Sequence, residues 1–164
     1  MTNGNRHVII KYQLIPRLSA LENETKRIEK KEEVEAYLAK LKYAIKSGAR
    51  ISFQSVRNLE KNRPSRYTNR FTVADLFPDE NPIDALKHEL LELSVKEYIS
   101  TNKDTNYPDR SEMRVFGKEY CGTKEVYIKI RVELLSANGQ SPIFVMSFHY
   151  AIKPFEQEVF PYKN

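Results

Sequence analysis

Residues 125–150 read EVYIKIRVELLSANGQSPIFVMSFHY, the one long run of the chain with clear strand-period patterning. Val126, Ile128, Ile130, Val132 and Leu134 alternate with Tyr127, Lys129, Arg131 and Glu133, the period of a strand with one apolar and one charged face. The return segment Ile143–Tyr150 must pair so that its apolar side chains join that face, because a slip of one residue turns every side chain to the other side. A two-residue turn at Asn138–Gly139 sets Lys129 against Phe148 and mixes charge into both faces. A three-residue loop, Ala137–Asn138–Gly139, with Gly139 left-handed in a bulge, instead sets Val132 against Phe144, Ile130 against Met146, Ile128 against Phe148 and Val126 against Tyr150. Burial selects this second register. On the polar face it sets Tyr127 against His149 and Lys129 against Ser147, with cross-strand Cβ separations of about 5 Å.

The 164 residues suit a single domain, with residues 1–48 as an N-terminal arm and long helix added to the core. At 40% hydrophobic and 30% charged residues the chain has a globular composition rather than a disordered one. No run approaches the roughly 20 apolar residues of a spanning helix, and MTNGNRH lacks the apolar core of a signal peptide, so a cytoplasmic protein without a membrane partner is expected. The one cysteine, Cys121, excludes an internal disulfide and a zinc site built from several thiolates, and is expected as a free thiol. A net charge of +5 favours polyanionic or acidic partners.

The apolar cluster in HVIIKYQLI, residues 7–15, suits an edge strand or an arm ended by Pro16. From Glu24 to Ser47 a long helix is expected, with Val34, Leu38, Leu41 and Ile45 as its buried stripe and Gly48 as its stop. Its first half, TKRIEKKEE, reads as a solvated charged face. Arg50–Ser55 suits a short strand. Arg57, Lys61, Arg63, Arg66 and Arg70 then surround Tyr67 in a loop that suits phosphate contacts, although a solvated connection is the commoner meaning of such a run. Thr72–Phe77 suits a helical turn, and Asn81–Pro82 caps a helix whose stripe is Ile83, Leu86, Leu90 and Leu93, with His88 on the surface. Ser94–Glu97 is a capping box expected to start a second short helix through Tyr98 and Ile99. Thr101–Glu112 has loop composition, Met113–Gly117 suits a strand, and a turn at Cys121–Gly122 leads into the hairpin. Helices followed by antiparallel strands imply an α+β fold, helices packed on an antiparallel β-sheet, with the Tyr127–His149 face left free.

No phosphate-binding glycine loop, HExxH or paired-cysteine motif is present, so no metal and no cofactor is expected. The remaining constellation is Lys118, Tyr127, Lys129 and His149, with Arg114 and Arg131 as further cations. Metal-free RNA cleavage needs such groups: a base for the ribose 2′-hydroxyl, cations for the pentacoordinate phosphate, and an acid for the leaving 5′-oxygen. An ordinary imidazole, titrating near neutrality, serves as either. Against this stands the ordinary meaning of a lone His on a sheet face, which is structural, and of Tyr–Lys alternation, which is common on exposed strands.

LELSVKEYIS, then VFGKEYCGTKEVYIKIRV, then FVMSFH, resemble in that order the motility quorum-sensing regulator family of messenger-RNA interferase toxins, over roughly Leu90 to Tyr150. The resemblance implies a RelE-like fold, ribonuclease activity on messenger RNA, and a cognate antitoxin as protein partner. Carried over by position, the tyrosine of VYIK is Tyr127 and the basic residue after SF is His149, where familiar members have Lys. The lysine that those members place after LSxxxY is Ser100 here, with Lys103 nearby. Their glutamine falls on Met113 or Arg114, depending on a gap. The expected sites are therefore Lys118, Tyr127, Lys129 and His149 in catalysis, and Lys103, Arg114 and Arg131 in RNA binding. The competing expectations are a non-catalytic module that holds RNA or an acidic protein segment on the same face, and a topoisomerase-poisoning toxin.

Overall fold

The computed structural model describes residues 24–58, 61–133, 142–156 and 159–164. The expected hairpin turn at Ala137–Asn138–Gly139 and the expected arm at residues 7–15 lie outside them. Val34, Leu38, Leu41 and Ile45 recur on one side of a helix, α1 (Lys31–Lys46), and all four are buried, as their spacing requires. Gly48, at φ +87°, ends the helix: its N–H donates to Ile45 O, and the N–H of Ala49 donates to Ala44 O, the paired bonds of a glycine-terminated helix.

Upstream of α1 the expected helix is replaced by strand β1 (Glu24–Arg27). No apolar stripe runs through these residues, and their side chains find better partners as a sheet edge. Glu29 is buried, taking Arg114 at 2.7 Å and the Thr101 hydroxyl at 2.9 Å, while Arg27 reaches Glu112 at 2.8 Å. Of the charge run only Glu29 is buried; its other residues stay exposed, as expected, but Glu24–Arg27 lie on a strand rather than on a helix.

After α1 come β2 (Ile51–Phe53), a 3-10 turn at Ser65–Tyr67, α2 (Asn69–Leu76) and α3 (Pro82–Leu91). Asn81 caps α3, its side chain accepting the N–H groups of Ile83 and Asp84. The capping box at Ser94 holds a single 3-10 turn, Val95–Glu97, rather than a helix through Ile99. Tyr98 already belongs to β3 (Tyr98–Asp104), because its ring is fully buried and its hydroxyl meets Thr101 and the N–H of Glu29. The strands β4 (Met113–Tyr120), β5 (Lys124–Val132) and β6 (Ile143–Tyr150) follow. Cys121, exposed, and Gly122 both take positive φ in the turn joining β4 to β5.

The six strands form one sheet in the order β1-β3-β4-β5-β6-β2. It is mixed rather than wholly antiparallel, because β2 runs parallel to β6, with Ile51 beside Ile143. The 16 residues of α1 extend about 24 Å, close to five strand spacings of about 4.8 Å, so this one helix is long enough to join the two edge strands β1 and β2. The fold is α+β, with α1 and α3 covering the face formed by Val126, Ile128, Ile130, Val132, Phe116 and Phe148. Among the described residues no helix is long and apolar enough to cross a membrane.

The hairpin keeps the expected register for four pairs, Val126–Tyr150, Tyr127–His149, Ile128–Phe148 and Lys129–Ser147, then shifts by one so that Ile130 meets Val145 and Val132 meets Ile143. Ile130 therefore does not face Met146, nor Val132 Phe144. The shift keeps Val145 and Ile143 fully buried and leaves Met146 and Phe144 half-buried. On the other edge of β6, past the end of β2, Asn69, fully buried at the start of α2, takes up backbone groups. The Asn69 amide donates to Gln54 O (2.7 Å) and Met146 O (3.0 Å), and its oxygen accepts the N–H of Phe148 (3.0 Å). Thr72 Oγ1 accepts the N–H of Tyr150 one turn later. Side chains of α2 thus cover the edge of β6 that β2 is too short to reach.

Asn69→Ala leaves the buried N–H of Phe148 and the part-buried Met146 O without this partner, so urea unfolding is expected to show a loss of about 1 to 3 kcal/mol. An unchanged urea midpoint contradicts this account of the edge.

Candidate functional site on the polar sheet face

Side chains alternate along a strand, so register decides which candidates share a face. Tyr127 and Lys129 lie opposite Gly117 and Val115 on β4 and opposite His149 and Ser147 on β6. These residues form the polar face. Lys118 pairs with Val126 and Arg114 with Ile130, which places both on the helix-covered face. Lys118 there meets Glu89 of α3 at 3.0 Å, and Glu89 also accepts the Tyr120 hydroxyl. Arg114 meets Glu29 and lies over the Tyr37 ring, 4.3 Å from its centroid. Lys118 and Arg114 therefore cannot act beside Tyr127, contrary to expectation. Lys103 follows Asn102 on β3 and donates to Arg110 O at 2.7 Å, with Thr25 as its β1 partner, away from the Tyr127–His149 pair. Arg131 lies over Phe144 and pairs with Glu133 at 2.8 Å.

The structure does bring Tyr127 and His149 together. Their rings stack with centroids 5.3 Å apart and planes inclined by 24°. His149 Nδ1 lies 2.9 Å from Tyr150 O. A carbonyl only accepts, so Nδ1 carries the proton, and in the neutral ring Nε2 is the basic nitrogen. Burial, then the Glu24 charge, push the Tyr127 phenol up to about 12, against the opposing charges of Arg57 and Arg63. At neutral pH Tyr127 is a proton donor.

Arg57 and Arg63 come from the basic loop for which a solvated connection was the commoner reading. Arg57 donates to Ser147 Oγ at 2.9 Å, and Arg63 lies 3.5 Å from Tyr67 O. Both side chains are half-buried, and the charge of each acts on the Tyr127 phenol. Sequence pattern gives little access to this, since the loop has no period; the available signal was that β2 ends beside the strand carrying His149.

Lys129 belongs to a different arrangement. Its ammonium crosses β4 and β3 to reach Glu24 of β1, and Glu24 also takes the Asn102 amide at 3.0 Å. Burial alone pushes the Glu24 carboxyl up, but Lys129 and Asn102 outweigh it and hold it below the usual carboxylate range. Burial lowers the Lys129 ammonium despite its bond to Glu24. Lys129 is thus a tie between strands. The face is also not free: Lys129, Ser147 and His149 keep 7%, 1% and 6% of their surface. Over Gly117 a Cβ atom would come within 2.7 Å of the Phe155 ring and 2.9 Å of Phe160, so the C-terminal segment rests on this face and requires glycine there. Among the described residues no group of three His, Cys, Asp or Glu side chains converges as metal ligands.

Glu24, Glu29 and Glu89 are all held below the usual carboxylate range by their partners, in each case against burial, which acts first and upward. Depressed carboxyls contribute stability that is present above their unfolded pKa and lost as pH falls through the folded one. Melting temperature is therefore expected to hold between pH 7 and 5 and to fall below about pH 4. Glu24→Gln leaves Lys129 buried without its counter-charge, an expected loss of about 3 kcal/mol at neutral pH by urea unfolding. A flat acid profile, or a neutral Glu24→Gln, contradicts the tie.

Compared with family models, with curated proteins and with solved structures, the chain gives no match.

Proposed function

We propose that the protein is a metal-independent endoribonuclease, the messenger-RNA interferase toxin of a toxin–antitoxin pair acting in the cytoplasm on a RelE-like fold. The observation that carries this reading is the Tyr127–His149 stack with Arg57 and Arg63 beside it. His149 Nε2 takes the proton of the ribose 2′-hydroxyl, the 2′-oxygen bonds to phosphorus, and the phosphorus–O5′ bond breaks. Tyr127 gives its proton to the departing 5′-oxygen, leaving a 2′,3′-cyclic phosphate and a 5′-hydroxyl. Arg57 and Arg63 balance the charge that gathers on the phosphate oxygens. The resemblance to the interferase toxins supplies the antitoxin partner and the RNA substrate.

The burial of His149, Ser147 and Lys129 favours a second reading, a non-catalytic module in which the stacked pair is part of the packing. Labelled RNA incubated with purified protein in EDTA separates the two. The nuclease leaves cyclic-phosphate ends, and the module leaves RNA intact. For the nuclease, His149→Ala is expected to lower single-turnover cleavage by about 10² to 10⁴, and Tyr127→Phe by about as much if the phenol donates the proton. Lys118→Ala, on the opposite face, is expected to cleave as the parent does when both are assayed well below their melting temperatures. His149→Ala cleaving at the parental rate removes the assignment.

A further inference from the structure

The loop that brings Arg57 and Arg63 to the polar face continues into a second environment. After the 3-10 turn at Ser65–Tyr67, Thr68 caps α2 by accepting the N–H of Phe71, and the side chains that follow wall an open cleft of about 600 Å³. Arg66, Tyr67, Phe71, Lys124, Tyr150 and Ile152 line it. Phe71 and Ile152 keep 41% and 54% of their surface, while the Arg66 guanidinium lies over the Tyr67 ring, 5.0 Å from its centroid. Phe71 packs edge-on against Tyr150 at 6.5 Å. Lys124 meets Asp75 at 3.0 Å and lies over the Tyr150 ring at 5.7 Å. Asp75 also accepts the Tyr150 hydroxyl at 2.6 Å, so this one carboxylate is shared between a cation and a phenol.

We infer that this cleft holds a nucleotide flanking the scissile phosphate of single-stranded RNA, its base stacked on Phe71 and Tyr67 and its backbone beside Arg66 and Lys124. The inference rests on the RNA reading above and adds where the strand goes. An exposed aromatic, Phe71, beside the half-buried Tyr67 and the cations Arg66 and Lys124 accepts an unpaired base and the phosphate next to it, whereas a duplex keeps its bases out of reach. Tyr150 follows His149 on β6 with its side chain on the other face, and the chain that carries Arg57 and Arg63 leads on to Arg66 and Phe71, so the cleft and the stacked pair lie on opposite faces at one end of β6. A strand bent around this end of β6 would reach both.

The test uses fluorescence anisotropy on the full chain with a 2′-O-methyl RNA, which lacks the attacking hydroxyl. One probe has about 12 nucleotides, within the span of single-strand grooves, and the other is a trinucleotide. The variants are Phe71→Ala, Arg66→Ala and the double change, all at exposed or rim positions, with melting temperatures recorded beside them. The double variant is expected to bind the longer probe about tenfold or more weakly and the trinucleotide as the parent does. Equal binding of the longer probe by parent and double variant overturns the inference, as does a parent that does not bind it. An equal loss on the trinucleotide also overturns it, because the cleft then is no separate flank site. If the longer probe shows the expected loss while ordinary RNA stays uncut by the parent, the cleft stands and the nuclease reading falls. If the parent cuts RNA and the variants bind unchanged, the nuclease reading stands and the cleft falls.

Discussion

The geometry of the polar face depends on how β6 is held after it leaves β2. A sheet edge with a register shift exposes backbone groups that water would otherwise satisfy, and inside a protein each such group costs about 1 kcal/mol or more. One buried amide, Asn69, takes two of them, Met146 O and the N–H of Phe148, together with Gln54 O after β2, and so holds the strand beyond Val145. The Tyr127–His149 pair lies on the stretch of β6 that this clamp holds from its outer edge. The same clamp fixes the start of α2, and with it the loop that delivers Arg57 and Arg63.

Charge is distributed by the same economy of partners. Three cations that stand out in the sequence are each matched to a carboxylate from the first ninety residues: Arg114 to Glu29, Lys118 to Glu89 and Lys129 to Glu24. Such pairs gain little against a well-packed apolar alternative, but losing one partner strands a buried charge, so they tie elements together. Glu24–Lys129 ties an edge strand to the middle of the sheet, and Glu89–Lys118 ties α3 to β4. On the proposed nuclease reading, the cations near the stacked pair come instead from the loop after β2.

The helical stripe of α1, the Asn81–Pro82 cap and the first four hairpin pairs were legible in the sequence because each rests on a local pattern, periodicity or capping, that needs no distant partner. The strand at Glu24–Arg27 was illegible for the opposite reason. Its residues are all polar, and it exists through Thr101, Asn102 and Glu112, far along the chain. The shift at Ile130 was missed because strict alternation does not signal an extra residue at Met146. The placement of Lys118 turns on loop length: a two-residue turn at Cys121–Gly122 would set it against Glu125, whereas the three-residue turn Cys121–Thr123 sets it against Val126 on the apolar face. The arginines that do approach the stack were read as loop residues, since nothing in their spacing says which face the loop crosses.

The central claim is that His149 presents a basic Nε2, with its Nδ1 proton held by Tyr150 O, to a phosphate beside Tyr127. Nitrogen-15 NMR of protein labelled at histidine reads this directly, with the His149→Gln spectrum identifying the signals. The account predicts the Nδ1-protonated tautomer in the neutral protein, and a change at Nε2 when an uncleavable dinucleotide binds. A ring protonated on Nε2 in the neutral form, or signals that ignore the dinucleotide while it binds, would contradict it.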